Sequence, residues 1–411
     1  MKDFCNEDCS PSQTWSQSTH IARAGVDSDK NHGAITPPLY LSSNFSFEGF
    51  GKQRTYDYSR SGNPTRDTLG DALATLEGGA GSVITSSGMS ALNVVFEILG
   101  KDDLLIAPHD CYGGTHRLLS FRAEKGHFRV KFIDLSDADA LTAAFEEKVA
   151  IVLIETPSNP LLRLTDIRAV AAQARQQETL VVADNTFLSP ILQKPLTLGA
   201  DIVVHSTTKF INGHSDVVGG AVISKTPELH AKIKWLANCT GVTGAPFDSF
   251  LTLRGLRTLA LRQQAQERTA RTIAQFLFEH PAVEKVYYPG LKTHPGHDIA
   301  VRQQEGFGSM ISFELASGVE NISNFLVDIS EGPQALFCLA ESLGGFESLI
   351  AHPATMTHAS MDPAARVNAG IRDGLLRLSI GLEDEADLLA CLKSALDRAA
   401  AQTMLTQQEA A

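Results

Sequence analysis

Residues 202–209, "IVVHSTTK", are a β-branched run that ends by delivering two hydroxyls, Ser206 and Thr208, and one amine, Lys209. A strand of this kind is buried on both faces, so its C-terminal end is where a side chain can leave the core and meet a ligand. Other runs end in the same fashion. "SVIT" at 82–85 leads into Gly88 and Met89 at the start of a helical stretch, and "DLLIA" at 103–107 leads into Tyr112. "AIVLI" at 150–154 is followed by Asn159, and "LVVAD" at 180–184 closes on Asp184. Taken singly, each has an ordinary reading: a helix cap, rim packing, a solvated lysine. Gathered at the ends of one parallel sheet, they become a helix N-terminus with hydroxyls, an aromatic ring, an amide, a carboxylate and an amine.

That set fits pyridoxal 5'-phosphate. Backbone N–H groups of Gly88 and Met89, with the hydroxyls of Ser206 and Thr208, would hold the phosphate, which a helix N-terminus also favours. Lys209 would take the aldehyde as a Schiff base. Asp184 would keep the pyridine nitrogen protonated, so that the ring draws electrons, and Tyr112 would stack on the ring face. The rival is a nicotinamide site, which needs G-x-G-x-x-G after a strand. The one comparable run, "EGGAGS" at 77–82, precedes its strand.

The elements that must position these residues follow from the wider pattern. The chain has 411 residues, 43% hydrophobic, enough to bury a large core and to divide into two domains. Between 82 and 223 short hydrophobic strands (with further runs at 129–133 and 218–223) alternate with helical stretches such as 89–99 and 166–177. This predicts an α/β domain with a mostly parallel sheet covered by helices on both faces, over 61–256. Residues 1–60 are polar and turn-rich and predict an N-terminal arm that needs another surface. From 252 to 280 the pattern predicts one long helix ended by Pro281. Strand-like "VEKVYYP", "SMISFEL" and "LLRLSIG" follow, giving a smaller C-terminal α+β domain over 257–411.

The longer motifs carry a family likeness. "YSRSGNPTRDTL", "ITSSGMSA", "APHDCYGGTHRL", "ETPSNPLL", "VVADNTF", "HSTTKFINGHSDVVGG", "RGLRTL", "AESLGGFESLI" and "LLRLSIGLED" occur in order between about residue 19 and about residue 397. Together they resemble the Cys/Met-metabolism family of pyridoxal phosphate enzymes of fold type I. The resemblance implies catalytic roles for Lys209 and Tyr112, and cofactor contacts for Asp184 and, across a subunit boundary, for Tyr58 and Arg60. It also implies a substrate-carboxylate clamp at Arg377, helped by Asn159 and Ser342, and contacts to the distal substrate from Glu341 and Arg117. Gly114 stands where the methionine γ-lyases carry cysteine, and Glu341 is similar to the branch acting at Cγ. The implied reaction is γ-replacement: an O-acyl-L-homoserine, the O-succinyl ester foremost, and L-cysteine give L-cystathionine and the free acid. Alternatives within the family are cleavage of cystathionine at the γ or β carbon, and sulfhydrylation of the ester. Ser61 after Arg60, where some relatives have a second arginine, leaves the acyl group open.

The family likeness also implies a homotetramer with shared active sites. A net charge of −12 with no Lys/Arg-rich block argues against a nucleic-acid partner, and no apolar run has the length of a membrane span. Six cysteines without a framework and an N-terminus lacking an apolar signal core predict a cytoplasmic protein. No metal is expected: Cys5 and Cys9 read as tail residues, and His294 and His297 as a solvated loop. His205 is placed in the strand before the lysine and His214 in the turn after it. Trp235 and Phe247 read as core or channel lining.

Overall fold

The computed structural model describes residues 15–316, 321–359, 361 and 363–409, so Cys5 and Cys9 lie outside the described residues. Seven strands build the larger sheet: β1 Gly81–Thr85, β2 Leu104–Pro108, β3 Arg129–Ile133, β4 Ile151–Glu155, β5 Leu180–Asp184, β6 Ile202–His205 and β7 Gly220–Ser224. Each falls within two residues of its predicted run. Their order is β1-β7-β6-β5-β4-β2-β3. β2 to β6 run parallel to one another, while β7 runs antiparallel to both β1 and β6. The connection from β6 to β7, residues 206–219, contains no crossover helix, and the two strands pair antiparallel.

Alternate residues of the strands feed separate cores on the two faces. Ile106, Val152, Ala183 and Val203 belong to one apolar cluster, and Leu105, Leu153, Val182 and Val204 to the other. Helices cover both. Helix Pro64–Glu77 starts where the Asn63 side chain accepts from the N–H groups of Thr65 and Arg66, and ends at Gly78 in the left-handed region, φ 75°. Helix Gly88–Phe96 starts from a reciprocal cap between Ser87 and Ser90. The smaller sheet contains β8 Val283–Tyr287, β9 Met310–Leu315, β10 Cys338–Leu339, β11 Leu349–Ala351 and β12 Leu375–Ser379, in the order β10-β11-β12-β9-β8. Its core packs Phe313, Leu376 and Leu378 against Ile273, Phe325 and Leu392 of three helices. Among the described residues, no helix is long and apolar enough to cross a membrane.

The single helix expected over 252–280 is two, Pro246–Leu256 and Leu259–Glu279. The break has a local cause. The Gly255 carbonyl accepts from Thr258 N (3.2 Å) and from Nη2 of Arg262 (2.9 Å) rather than continuing the helical ladder. Arg262 is buried and also donates to the carbonyls of Phe210 (2.8 Å) and Ile211 (3.3 Å), fixing the turn directly after Lys209. Gly255 is needed there, since a Cβ would stand 2.1 Å from the Asn212 carbonyl oxygen. Gly255→Ala is therefore expected to destabilise the protein by about 2 kcal/mol through overpacking. A thermal unfolding midpoint equal to that of the unaltered chain would show that the contact relaxes freely.

Candidate functional site

A cavity of about 400 Å³ opens over the carboxyl ends of the larger sheet, and Lys209 stands in it. Lining it are Gly88, Met89, Tyr112, Asn159, Asp184, Ser206, Thr208, Lys209, Glu341, Ser342 and Arg377, all named from the sequence. Tyr58, Arg60 and Arg117 are not among the lining residues of their own chain. Arg117 is exposed on helix Gly113–Glu124. Arg60 lines a separate polar cavity of about 240 Å³, where its Nε donates to Oδ1 of Asn238 (3.0 Å) and its guanidinium lies 5.4 Å from the Tyr58 ring centre.

Two cations share the main cavity. Nζ of Lys209 donates to Oγ of Ser342 (2.8 Å). Burial, and then the nearby Arg377 charge, lower its proton affinity to a pKa of about 8, against an opposing pull from Glu341. Arg377 rises from β12; its Nη1 donates to Oδ1 of Asn159 (2.8 Å) and its Nη2 to the Ser342 carbonyl (2.9 Å). Only 2% of Arg377 is exposed, it forms no salt bridge among the described residues, and its Nε lacks a partner among them. Burial lowers its pKa to about 10. A buried guanidinium without a carboxylate is costly, so this is a place prepared for an anion. Ser342 serves both cations from a left-handed backbone, φ 88°, unusual for a serine and strained for that reason.

The opposite wall is acidic. Asp184 ends β5, and Thr186 donates to its Oδ1 from the backbone (3.0 Å); burial nonetheless raises its proton affinity. Glu155, the register partner of Asp184 on β4, is the residue the sequence reading missed. Its Oε2 accepts from Tyr112 N (2.9 Å) and its Oε1 from Asn159 N (3.0 Å), so one carboxyl anchors the loops carrying the aromatic ring and the Arg377 partner. Burial, and then the Asp184 charge, push it well above the usual carboxylate range. The signal was present, since Glu155 ends a buried strand just as Asp184 does. Thr186, Phe187, Val218 and Thr357 also line the cavity; nothing in their spacing singles them out.

Two glycines make room for close approach. A Cβ on Gly88 would fall 2.8 Å from Cβ of Ser206, and one on Gly114 would fall 2.5 Å from Cε1 of Tyr112. Gly88 and Met89 occupy the first turn of their helix, whose N–H groups have no intrahelical acceptor. Backbone donors, the Ser206 and Thr208 hydroxyls, a facing carboxylate and an amine of lowered basicity fit the phosphate, ring nitrogen and aldehyde of pyridoxal phosphate. Three outlying expectations are corrected. Trp235 and Phe247 are exposed on the surfaces of helices Pro227–Thr240 and Pro246–Leu256. His294 is not solvated: it is buried, its Nδ1 accepts from Gly296 N (3.0 Å), and burial lowers its pKa to about 4.

Comparison with known proteins agrees with this geometry. The model of the Cys/Met metabolism PLP-dependent enzyme family matches residues 18–397. Cystathionine gamma-synthase of Escherichia coli (strain K12) is 53% identical over 93% of this chain and 98% of its own. A cystathionine beta-lyase of Lactococcus lactis subsp. cremoris is 46% identical over 92% of this chain and 98% of its own. The crystal structure of cystathionine gamma synthase from Xanthomonas oryzae pv. oryzae in complex with cystathionine superposes with a TM-score of 0.92. It is 58% identical and covers 95% of this chain and 100% of that one.

The lowered basicity of Lys209 has a direct consequence. The neutral amine is the reactive form, so the rate at which apoprotein takes up pyridoxal 5'-phosphate should rise with pH and level off above a pKa of about 8. Stopped-flow absorbance reads this; a rate still climbing to about pH 10 would mark an ordinary lysine.

Proposed function

The chain belongs to the Cys/Met metabolism PLP-dependent enzyme family, and on that premise we propose that it joins an O-acyl-L-homoserine to L-cysteine, giving L-cystathionine and the free acid. The observation that carries the reading is the cavity itself: a buried amine of lowered basicity 2.8 Å from Ser342, beside a buried guanidinium whose Nε has no partner among the described residues. When bound, pyridoxal phosphate supplies an aldehyde that captures amines and a ring that spreads negative charge away from the substrate carbons.

The chain's own residues do the rest. Gly88 and Met89 N–H groups with Ser206 and Thr208 would hold the phosphate. Asp184 would pair with the ring nitrogen, and Tyr112, held by Glu155, would cover the ring. Nζ of Lys209 would tether the cofactor at rest and is the base for the substrate. Arg377 binds the α-carboxylate through Nε and an amino nitrogen, which turns the Cα–H bond toward Lys209. As a neutral amine, Nζ takes the Cα proton, passes it on to the bound cofactor, and, neutral again, takes a Cβ proton. The Cγ–O bond breaks with the acid leaving as carboxylate. The cysteine thiolate bonds to Cγ, and Nζ returns protons to Cβ and Cα.

In this reading the O-succinyl ester is the donor, its distal carboxylate met by Arg117, while Tyr58 and Arg60 of a neighbouring subunit's arm reach the phosphate. The assembly is a homotetramer with shared sites. Its support is that Tyr58 and Arg60 lie outside their own cavity, on an arm whose Leu41, Phe47 and Phe50 are exposed. Neither nucleic acid nor membrane is a partner. The cytoplasm suits the free cysteines Cys111, Cys239, Cys338 and Cys391.

Two measurements test this. Cystathionine should accumulate only when ester and cysteine are both supplied, with the O-succinyl ester turned over faster than the O-acetyl one. Release of 2-oxobutanoate or pyruvate from cystathionine at a comparable rate would favour a lyase. Arg377→Lys should raise KM for the ester at least tenfold, through loss of a paired hydrogen bond to the carboxylate; an unchanged KM would refute the clamp.

A further inference from the structure

Behind the cavity wall, on the opposite face of the sheet, lies a titratable pair with no part in the reaction above. Glu77 closes helix Pro64–Glu77 and His205 closes β6; neither is exposed to solvent. Nε2 of His205 meets Oε1 of Glu77 at 2.6 Å, and the same oxygen accepts from Nδ2 of Asn185 (3.0 Å). Nδ1 of His205 and Oε2 of Glu77 have no partner among the described residues. Asp184 pairs with Val204 in register, and strand side chains alternate, so His205 points away from the face that carries Asp184. A buried pair left half-satisfied is a poor way to gain stability, since an apolar pair of like volume would do as well.

Its neighbours give it a purpose. Asn185 follows Asp184 in the chain, and Ser206 follows His205. Ser206 N donates to Oγ1 of Thr186 (2.9 Å), and Thr186 donates to the Asp184 carboxylate from its backbone and its hydroxyl. Glu77 therefore fixes both strand ends that frame Asp184. Asp184 also faces Glu155 from β4, with Lys209, Glu341 and Arg377 lining the same cavity. Burial and the Glu155 carboxyl work against its charge, while the field of His205 favours it.

We propose that the Glu77–His205 pair is a positioning unit for Asp184, holding that carboxylate in place and charged opposite the pyridine nitrogen. The inference rests on the reading of Asp184 as the cofactor's partner. Glu77→Gln keeps an oxygen for His205 and Asn185 but removes the charge, and His205→Gln removes the imidazole. A less charged Asp184 leaves the ring nitrogen less cationic, so the lysine-linked nitrogen holds its proton more tightly. In both holoproteins the pH midpoint of the cofactor's visible absorbance should therefore rise by about half a unit or more. Pyridoxal phosphate should bind more weakly, and kcat should fall roughly tenfold with KM within about twofold. Variants that retain the original midpoint and lose only thermal stability would overturn the proposal. Should neither variant fold, neutron diffraction from the unaltered holoprotein decides: deuterons on both ring nitrogens of His205 support it, and a single deuteron overturns it. An unaltered protein that shows no visible band after incubation with pyridoxal phosphate would instead refute the cofactor reading.

Discussion

The structure is organised around the cost of keeping two cations out of water. Lys209 and Arg377 share one cavity, and neither has a salt bridge there among the described residues. Lys209 meets this cost by losing basicity. Arg377 loses some as well but stays charged, and that charge is held by the Asn159 amide, the Ser342 carbonyl and whatever anion enters. The strained Ser342 backbone, the Glu155 anchor and the buried Arg262 behind the lysine turn are the means by which distant elements bear on this arrangement.

The larger sheet supplies direction. Parallel strands β2 to β6 all end on one side, and residues far apart in sequence, Tyr112, Asn159, Asp184 and Lys209, meet there. The smaller sheet closes the site from across, bringing Arg377 on β12 and the loop of Glu341 and Ser342. In the proposed reaction, chemistry at the cavity thus needs both sheets: one for the cofactor, the other for the substrate's carboxylate.

Much of this was legible from the residues. Strand ends are legible because β-branched runs buried on both faces stand out, and Lys209 and Asp184 sit directly at them. Positions set by tertiary contact were not legible. The helix break at 257–258 depends on an arginine reaching back to carbonyls after Lys209, which periodicity does not register. The burial of His294 and the exposure of Trp235 and Phe247 depend likewise on which surface a neighbouring element covers. Tyr58 and Arg60 were tied to the site by family resemblance alone, and within one chain they stand apart from it.

Everything at this site turns on which nitrogen bears the cofactor. Borohydride reduction of the holoprotein, followed by digestion and mass spectrometry, fixes the linkage as a stable secondary amine and identifies the modified side chain. The arrangement described here predicts a phosphopyridoxyl group on the peptide containing Lys209. Its recovery on a different lysine, or a protein that takes up no pyridoxal phosphate, would contradict it.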